Sequence, residues 1–292
     1  MTYSYPSVTQ VPAVYHKKIG EVLVTVVSDG NSTLPFWPYY ELMEDKGKEM
    51  LHSNFETSPL VLNTNCFIVN VNGRLTLIDA GLGMGVGVVL DNIKAAGVDV
   101  NDIETVLLTH IHPDHSYGLI HTDGTKVFPN AEVVVQETEY AYWLDKRNIK
   151  DPSDEIETAN FQMAEAAFAP YEGRIRTFAV TETEPVAGIQ AIEAPGHTPG
   201  HTAYLIESNG EKLLIWGDII HNAAIQLMRP EEKIVMDVLP ELGVETRKRI
   251  LDLAAEEKLL VSGMHLNFPG FGRIRKEADH YVHVPEKWSP EL

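Results

Sequence analysis

The sequence predicts an α/β fold, with helices covering the faces of sheets, in a single domain of residues 1–292. Two observations support this fold class. Short β-branched runs alternate with amphipathic helical stretches, and neither low-complexity segments nor repeats with periods of about 20 to 50 residues interrupt them. At 292 residues and 44% hydrophobic content, the chain can also bury one large core.

The predicted strands are short apolar runs that end at or near glycine, aspartate, asparagine or a motif residue. They cover residues 22–27, 66–71, 75–78, 105–108, 132–135, 190–192, 203–206, 212–216 and 259–262. Helices are predicted where apolar residues recur at i, i+3 and i+4. These are residues 88–96, 137–147, 155–169 and 245–257.

The segment of residues 32–59 departs from this pattern, and an N-terminal extension precedes it. Prolines and aromatic residues crowd together ahead of a charged stretch, at Pro35, Phe36, Trp37, Pro38, Tyr39 and Tyr40. Such a composition predicts a long loop. Two interpretations stay open, a loop packed onto the core and a lid or dimer contact beside a functional site.

Composition limits the partners and the compartment. Lys and Arg total 23 against 42 Asp and Glu, and the resulting formal charge of −19 repels nucleic acid, so neutral or cationic small molecules are the expected ligands. Cys66 is the only cysteine, which excludes an intrachain disulfide, and we interpret it as a small buried hydrophobe. Residues 1–20 do not resemble a secretory signal, and no run approaches the roughly 18 to 20 apolar residues of a membrane span. We therefore expect a cytoplasmic protein without membrane contact.

Four candidate metal ligands follow the strand predicted at residues 105–108. They are His110, His112, Asp114 and His115. Pro113 cannot continue a sheet ladder, so we expect the chain to turn there and the four side chains to converge. A lone histidine is usually structural, but three histidines and an aspartate this close together favour a metal site.

Three further strands deliver a histidine or an aspartate at their carboxyl ends, where open α/β sheets gather their sites. In chain order these residues are His197 and His201, then Asp218, then His265. Two Pro-Gly turns surround His197 and His201. The repetition of this pattern at successive strand ends indicates one shared site.

Seven of these residues divide into two groups joined by one carboxylate. The first group is His110, His112 and His197, the second is Asp114, His115 and His265, and the bridge is Asp218. Imidazole and carboxylate ligands suit Zn, Mn, Fe, Co or Ni, and zinc is the commonest choice for hydrolysis. We expect two divalent ions, with a bridging hydroxide whose parent water has its pKa lowered to about 7 as the nucleophile.

The segment from His110 to His115 resembles the H-x-H-x-D-H signature of the metallo-β-lactamase superfamily. The rest of that pattern is present in order, with Asp79 before the motif and the later ligands after it. The resemblance implies an αβ/βα sandwich of two mixed sheets flanked by helices, with the metals at one edge and Asp79 in a supporting role. We interpret His201 as a residue that fixes its loop by hydrogen bonds, and not as a ligand.

Within the superfamily, the sequence is most similar to the methyl parathion hydrolase group and its lactonase and arylesterase relatives. Residues 195–202, 217–220 and 262–273 carry this likeness. It implies a dizinc homodimer that opens neutral esters or lactones, with phosphotriester hydrolysis as a further activity. By the same likeness, Trp143 and Phe161 fall near the aromatic pocket residues of that group, although packing between helices would explain them equally well.

His221 follows the bridging aspartate by three residues. The resemblance implies a tyrosine in this region for acyl-homoserine lactonases and an aliphatic residue for the methyl parathion hydrolase relatives. A histidine could donate a proton or hydrogen bond to the leaving oxygen, since its ordinary pKa of about 6.5 lies near the operating pH, or it could simply line the pocket. The expected catalytic residues are Asp114, Asp218 and His221, and the expected pocket residues are Trp143, Phe161 and His221.

Three alternatives stay open. A mononuclear iron thiol or persulfide oxygenase would use a single metal, whereas His115 favours a second one. A thioesterase of the glyoxalase II type would need a C-terminal helical domain that the sequence does not show. A non-catalytic binding module would have no reason to keep the complete ligand set in order.

Overall fold

The computed structural model describes residues 10–34, 40 and 44–292, which form two mixed sheets. The first contains β1 (Val14–Ile19), β2 (Val22–Leu34), β3 (Leu60–Val71), β4 (Arg74–Ile78), β5 (Ile103–Leu107), β6 (Glu132–Gln136) and β7 (Ile175–Phe178), in sequence order. Strands β1 to β4 pair antiparallel, and β4 to β7 pair parallel.

The second sheet lies opposite the first. It contains β8 (Gln190–Glu193), β9 (Thr202–Ser208), β10 (Glu211–Ile215), β11 (Leu260–Ser262), β12 (Gly272–Lys276) and β13 (Tyr281–Pro285). In space the strands lie in the order β13, β12, β11, β10, β9, β8, so each strand is next to its neighbours in sequence. Strands β10 and β11 pair parallel, and the other neighbours pair antiparallel.

The α-helices of the described residues are α1 (Glu44–Ser53), α2 (Val89–Ala95), α3 (Pro113–Ser116), α4 (Glu137–Trp143), α5 (Glu155–Phe168), α6 (Ala223–Gln226) and α7 (Pro240–Glu256). Helices α2, α4 and α5 pack on the outer face of the first sheet, and α7 packs on the outer face of the second. None of the helices that the structure describes is both long and apolar enough to span a membrane.

The buried clusters follow from the alternation of side chains along the strands. Val106 of β5 lies in a cluster with Phe161 of α5, whereas the next residue, Leu107, lies in the cluster between the sheets. On the far side, Val261 of β11 shares a cluster with Ile250 of α7. Helix, sheet, sheet and helix therefore form successive layers, which confirms the predicted αβ/βα sandwich.

The segment of residues 32–59 is more ordered than its composition predicts. β2 runs to Leu34, β3 begins at Leu60, and α1 occupies Glu44–Ser53, so the prediction of one long loop was wrong for these parts. The aromatic cluster at residues 35–39 and the first nine residues of the N-terminal extension lie outside the described residues. Tyr40 is buried and forms a β-bridge with Ile234.

Most predicted elements are present with shifted ends. α7 begins at Pro240, five residues before the predicted start. Proline suits the first turn of a helix. The prediction began later because the first turn, which contains Gly243, has few apolar residues at helical spacing. The sequence prediction omitted β1, β7, β12 and β13. These strands carry few large apolar residues: in β12, for example, Ile274 is the only one and stands between exposed Arg273 and Arg275.

Candidate metal centre

The carboxyl ends of four strands meet at one edge of the sandwich. Pro113 is the first residue of α3, so the chain turns directly after His112, as predicted. Together the strand ends supply His110, His112, Asp114 and His115 after β5, His197 after β8, Asp218 after β10 and His265 after β11. The structure brings all seven predicted ligands together in two adjoining groups.

The first group has the spacing of a metal site. His112 Nδ1 lies 3.1 Å from His110 Nε2 and 2.8 Å from His197 Nε2, and His197 Nε2 lies 3.4 Å from Asp218 Oδ2. Two nitrogen ligands of one tetrahedral zinc ion lie about 3.3 Å apart, because each bond is about 2.0 to 2.1 Å long. These side chains therefore fit one divalent ion.

The second group contacts both oxygens of the same carboxylate. His115 Nε2 lies 3.3 Å from Asp218 Oδ1 and 3.5 Å from Asp114 Oδ2, which is also 3.5 Å from His265 Nε2. His265 Nε2 is in addition 3.1 Å from Asp218 Oδ2. Asp218 therefore contacts both groups, as a bridging carboxylate must.

Two buried atoms of this centre test whether metal ions fit. His115 Nδ1 lies 2.7 Å from Asp79 Oδ2 and donates its proton there, which leaves the lone pair on Nε2. Among the described residues, neither His115 Nε2 nor Asp218 Oδ1 has a hydrogen-bond partner, although both atoms are buried. Unpartnered buried polar atoms are costly, and a cation between them would satisfy both. The residues present therefore fit a dinuclear metal site.

The protonation states differ among the candidate ligands. Burial, reinforced by neighbouring histidines, holds the pKa of His110 and of His112 well below the usual range, so both rings are neutral. Burial opposes ionisation of Asp218, but His115 and His265 outweigh it and hold the pKa of that carboxyl well below its usual value. Burial opposes protonation of the other three rings, but the neighbouring carboxylates outweigh it: they raise the pKa of His115 and His265, and hydrogen bonds to Asp218 and Asp237 raise the pKa of His197 to about 9. Because neutral imidazole is the form that binds metals, metal binding would displace a proton from each of these three rings.

Residues behind the ligands fix their orientation. Asp79 accepts hydrogen bonds from the Thr109 backbone N–H and hydroxyl, each at 2.7 Å, besides the one from His115. His201 donates from Nδ1 to the Ala194 carbonyl at 3.0 Å and accepts at Nε2 from the Asp218 backbone N–H at 2.9 Å. Both ring nitrogens of His201 thus form hydrogen bonds to the backbone.

Two buried carboxylates at the site were missed by the sequence prediction. Glu139 accepts from the backbone N–H groups of Ile111 and Gly200 at 2.9 and 2.8 Å, and so joins the two loops that carry histidine ligands. Asp237 Oδ1 lies 2.9 Å from His197 Nδ1. In the sequence, Glu139 is recognisable only as an acidic residue in the first turn of a predicted helix, which is a common position for an acid. No sequence pattern indicates a role for Asp237.

A cavity of about 360 Å³ opens over the ligands. Its walls are mainly apolar, with the metal-ligating groups at its floor, and they include Leu34, Leu62, Leu82, Ile156, Val235 and Met236. An apolar cleft with a few converging polar groups is typical of a small-molecule site. Leu34 and Leu62 come from the ends of β2 and β3, which the sequence prediction placed near or inside a loop.

The three predicted pocket residues occupy different positions. His221 lines the cavity, its Nε2 lies 3.1 Å from Asp218 Oδ2, and its ring stacks on His265 at 5.1 Å. Trp143 is buried edge-on to His112, with ring centroids 5.1 Å apart, and borders an adjoining cavity of about 290 Å³. Phe161 is buried behind Trp143, with ring centroids 4.7 Å apart.

Comparisons with known proteins agree with this geometry. The sequence pattern of the metallo-beta-lactamase superfamily matches residues 59–272. Among solved structures, the hydrolase AbOPH of the beta-lactamase superfamily is 31% identical with a TM-score of 0.90, covering 96% of this chain and 100% of that one. AidC, a dizinc quorum-quenching lactonase in complex with the product N-hexanoyl-L-homoserine, is 25% identical with a TM-score of 0.86, covering 95% and 99%.

Curated relatives match over a shorter length. The uncharacterised protein YobT of Bacillus subtilis is 27% identical over 160 residues, which are 55% of this chain and 63% of YobT. The N-acyl homoserine lactonase of Bacillus thuringiensis is 22% identical over 174 residues, 59% of this chain and 60% of the lactonase. The chain thus spans about three fifths of the length of these relatives.

Proposed function

Because this chain belongs to the metallo-beta-lactamase superfamily, we propose that it is a dinuclear metal hydrolase of neutral esters, in the first place a lactonase or arylesterase. One observation carries the proposal. Two groups of candidate metal ligands are joined by Asp218, and five of these ligands line an apolar cavity, namely His112, Asp114, His197, Asp218 and His265. Such an arrangement presents a carbonyl to two cations while the walls hold the apolar remainder of the substrate.

The charge and the walls of the cavity favour neutral substrates. The chain carries a formal charge of −19, which disfavours anionic ligands. Likeness to AidC and to the Bacillus lactonase makes N-acyl homoserine lactones the first candidates. Aromatic lactones and aryl esters also match an apolar pocket. Phosphotriester hydrolysis follows only from the likeness to the methyl parathion hydrolase group, so we propose it as a further activity.

The residues of the site have separate parts in this chemistry. Two divalent ions, zinc in the first place, would activate water and polarise the substrate carbonyl. Asp218 would hold both ions at a fixed separation. Asp114, whose side chain is 32% exposed at the cavity, would orient the attacking water through a hydrogen bond. His221 borders the same space and would donate a hydrogen bond to the leaving oxygen.

Metal analysis followed by substrate assays on the same sample tests the proposal. We expect two transition-metal ions per chain by mass analysis. We also expect hydrolysis of at least one of four substrates, which are an acyl-homoserine lactone, an aromatic lactone, a nitrophenyl ester and a methyl phosphotriester. About one iron ion per chain would support the thiol oxygenase instead, and absence of turnover on every ester would support a binding module.

The aromatic pair gives a second prediction. We propose that Trp143 and Phe161 support the apolar wall of the binding site, so replacing either with alanine should raise KM for aryl substrates and leave the metal content intact. Trp143→Phe is the matched control, because it keeps a ring but loses the indole N–H that donates to Glu139 at 2.8 Å. Unchanged kinetics with a lowered melting temperature would show that both residues only pack the core.

We further propose that residues 1–292 form one domain, that the protein works as a homodimer, and that it resides in the cytoplasm. The homodimer rests on the likeness to the methyl parathion hydrolase group. Light scattering on the purified protein would measure the mass of the particle, and a monomeric mass would contradict the homodimer.

A further inference from the structure

Residues 230–239, here called the wall segment, contact both the cavity and a metal ligand. Val235 and Met236 line the cavity over the metal centre. The next residues bind the loop that carries His197: Val238 N–H donates to the His197 carbonyl and Leu239 N–H donates to the Gly196 carbonyl, each at 2.9 Å. One short segment therefore shapes the pocket and holds a ligand loop.

Asp237 gives this segment its direct contact with the His197 ring. Its Oδ1 accepts the proton of His197 Nδ1 at 2.9 Å, and the aspartate side chain is 1% exposed. A proton held on Nδ1 leaves the lone pair on Nε2, which is the atom that lies 2.8 Å from His112 Nδ1 in the first group. The carboxylate thus selects the form of His197 that can bind a metal.

The second group repeats this arrangement with different residues. Asp79 Oδ2 accepts the proton of His115 Nδ1 at 2.7 Å, and His115 Nε2 then faces Asp114 and Asp218. Each group therefore contains one histidine whose ring is fixed by a buried carboxylate. The two carboxylates come from separate parts of the fold, the wall segment and the end of β4.

A buried guanidinium fastens the wall segment. Arg247 of α7 is 2% exposed and donates from Nη1 to the Pro230 and Glu232 carbonyls at 3.0 and 2.6 Å. It also donates from Nε to the Ile219 carbonyl at 2.9 Å, next to Asp218. Its Nη2 lies 3.9 Å from Asp237 Oδ2. Arg247 thereby links the wall segment to the turn that carries the bridging carboxylate.

We propose that Asp237 is a positioning residue for one of the two metal ions, acting through His197, whereas Asp79 serves the other ion through His115. The affinities of the two ions are then set by separate carboxylates. The inference rests on the two-metal site proposed above.

The test is a titration of Zn²⁺ against a competing chelator on the full-length protein, which resolves the dissociation constant of each ion. Carboxylates behind ligating histidines typically change metal affinity by about 10- to 100-fold. Asp237→Asn should therefore raise one dissociation constant by that factor and leave the other unchanged, and Asp79→Asn should raise the other one. Combining Asp237→Asn with His197→Ala should weaken binding no further than His197→Ala alone, because the two residues act in series.

Thermal unfolding of the metal-free proteins separates positioning from general stability. Asp237→Glu, which keeps the charge, should recover part of the lost affinity even if Asp237→Asn folds poorly. Asp252→Asn is the matched control on α7, since that aspartate hydrogen-bonds Lys276 and Tyr281 away from the centre.

Two unchanged dissociation constants in Asp237→Asn would overturn the inference, and so would equal weakening of both ions or a loss that merely follows the melting temperature. A wild-type protein that binds fewer than two ions would instead contradict the proposed function, so the two failures are distinguishable.

Discussion

Replacing Asp218 with alanine is expected to release at least one metal ion and to lower turnover by orders of magnitude. Asp218 Oδ2 lies 3.4 Å from His197 Nε2 in the first group, and Oδ1 lies 3.3 Å from His115 Nε2 in the second. Alanine removes a ligand from both ions at once. It also removes the negative charge that offsets the repulsion between two dications.

The measurement combines metal content by mass with kcat on an activated aryl ester. Asp252→Ala is the control, because it removes a carboxylate of the same size that lies on α7, outside the metal centre. If Asp218→Ala retained two ions and wild-type turnover, Asp218 would not be the bridge and the division into two groups would fail.

The sequence predicts which candidate ligands converge at the site because each of them is encoded locally. A strand followed by a turn carries its last side chains to the sheet edge, and this rule applies to His110, His197, Asp218 and His265 alike. The carboxyl ends of β5, β8, β10 and β11 meet at one edge of the sandwich, so residues predicted separately at each strand end form one site. The fold class is predictable for the same reason, since the strands with the strongest apolar runs are those buried on both faces.

The supporting residues and the pocket walls were harder to predict because they depend on contacts between distant segments. Asp237 contacts His197, which is 40 residues away in the sequence. Glu139 accepts hydrogen bonds from Ile111 and Gly200, which are 89 residues apart in the sequence. An isolated acid in a helical or irregular segment gives no sign of such a partner. Leu34 lies next to residues whose proline-rich composition suggested a loop, which concealed the end of β2.

The structure is needed to define the proposed role of His221. Burial lowers the pKa of His221 to about 4, although the adjacent Asp218 carboxylate opposes that shift. The ring is therefore neutral near pH 7, and the expectation that its ordinary pKa would support proton donation does not carry over. A neutral imidazole still has one N–H, and His221 lines the cavity beside the bridging carboxylate. The donor is Nε2, which lies 3.1 Å from Asp218 Oδ2, so we expect its N–H to be shared between that carboxylate and a leaving oxygen when substrate binds.

Replacing His221 with leucine should accordingly slow substrates with poor leaving groups far more than activated ones. An alkyl lactone develops strong negative charge on its leaving oxygen, so loss of the donor should depress kcat by about 10²-fold or more. A nitrophenyl ester should be much less affected, because its leaving group departs without help. Its rate measures any disturbance of the metals.

His221→Gln is the matched variant, since it offers an amide N–H at a similar distance and should recover part of the lactone activity. His221 Nε2 lies 3.1 Å from Asp218 Oδ2, so removing the imidazole could disturb the bridging carboxylate. Metal content is therefore measured in both variants, and the comparison of rates requires that it equals the wild-type value. Equal losses on the lactone and the nitrophenyl ester, or no loss on either, would leave His221 as a residue that only lines the pocket.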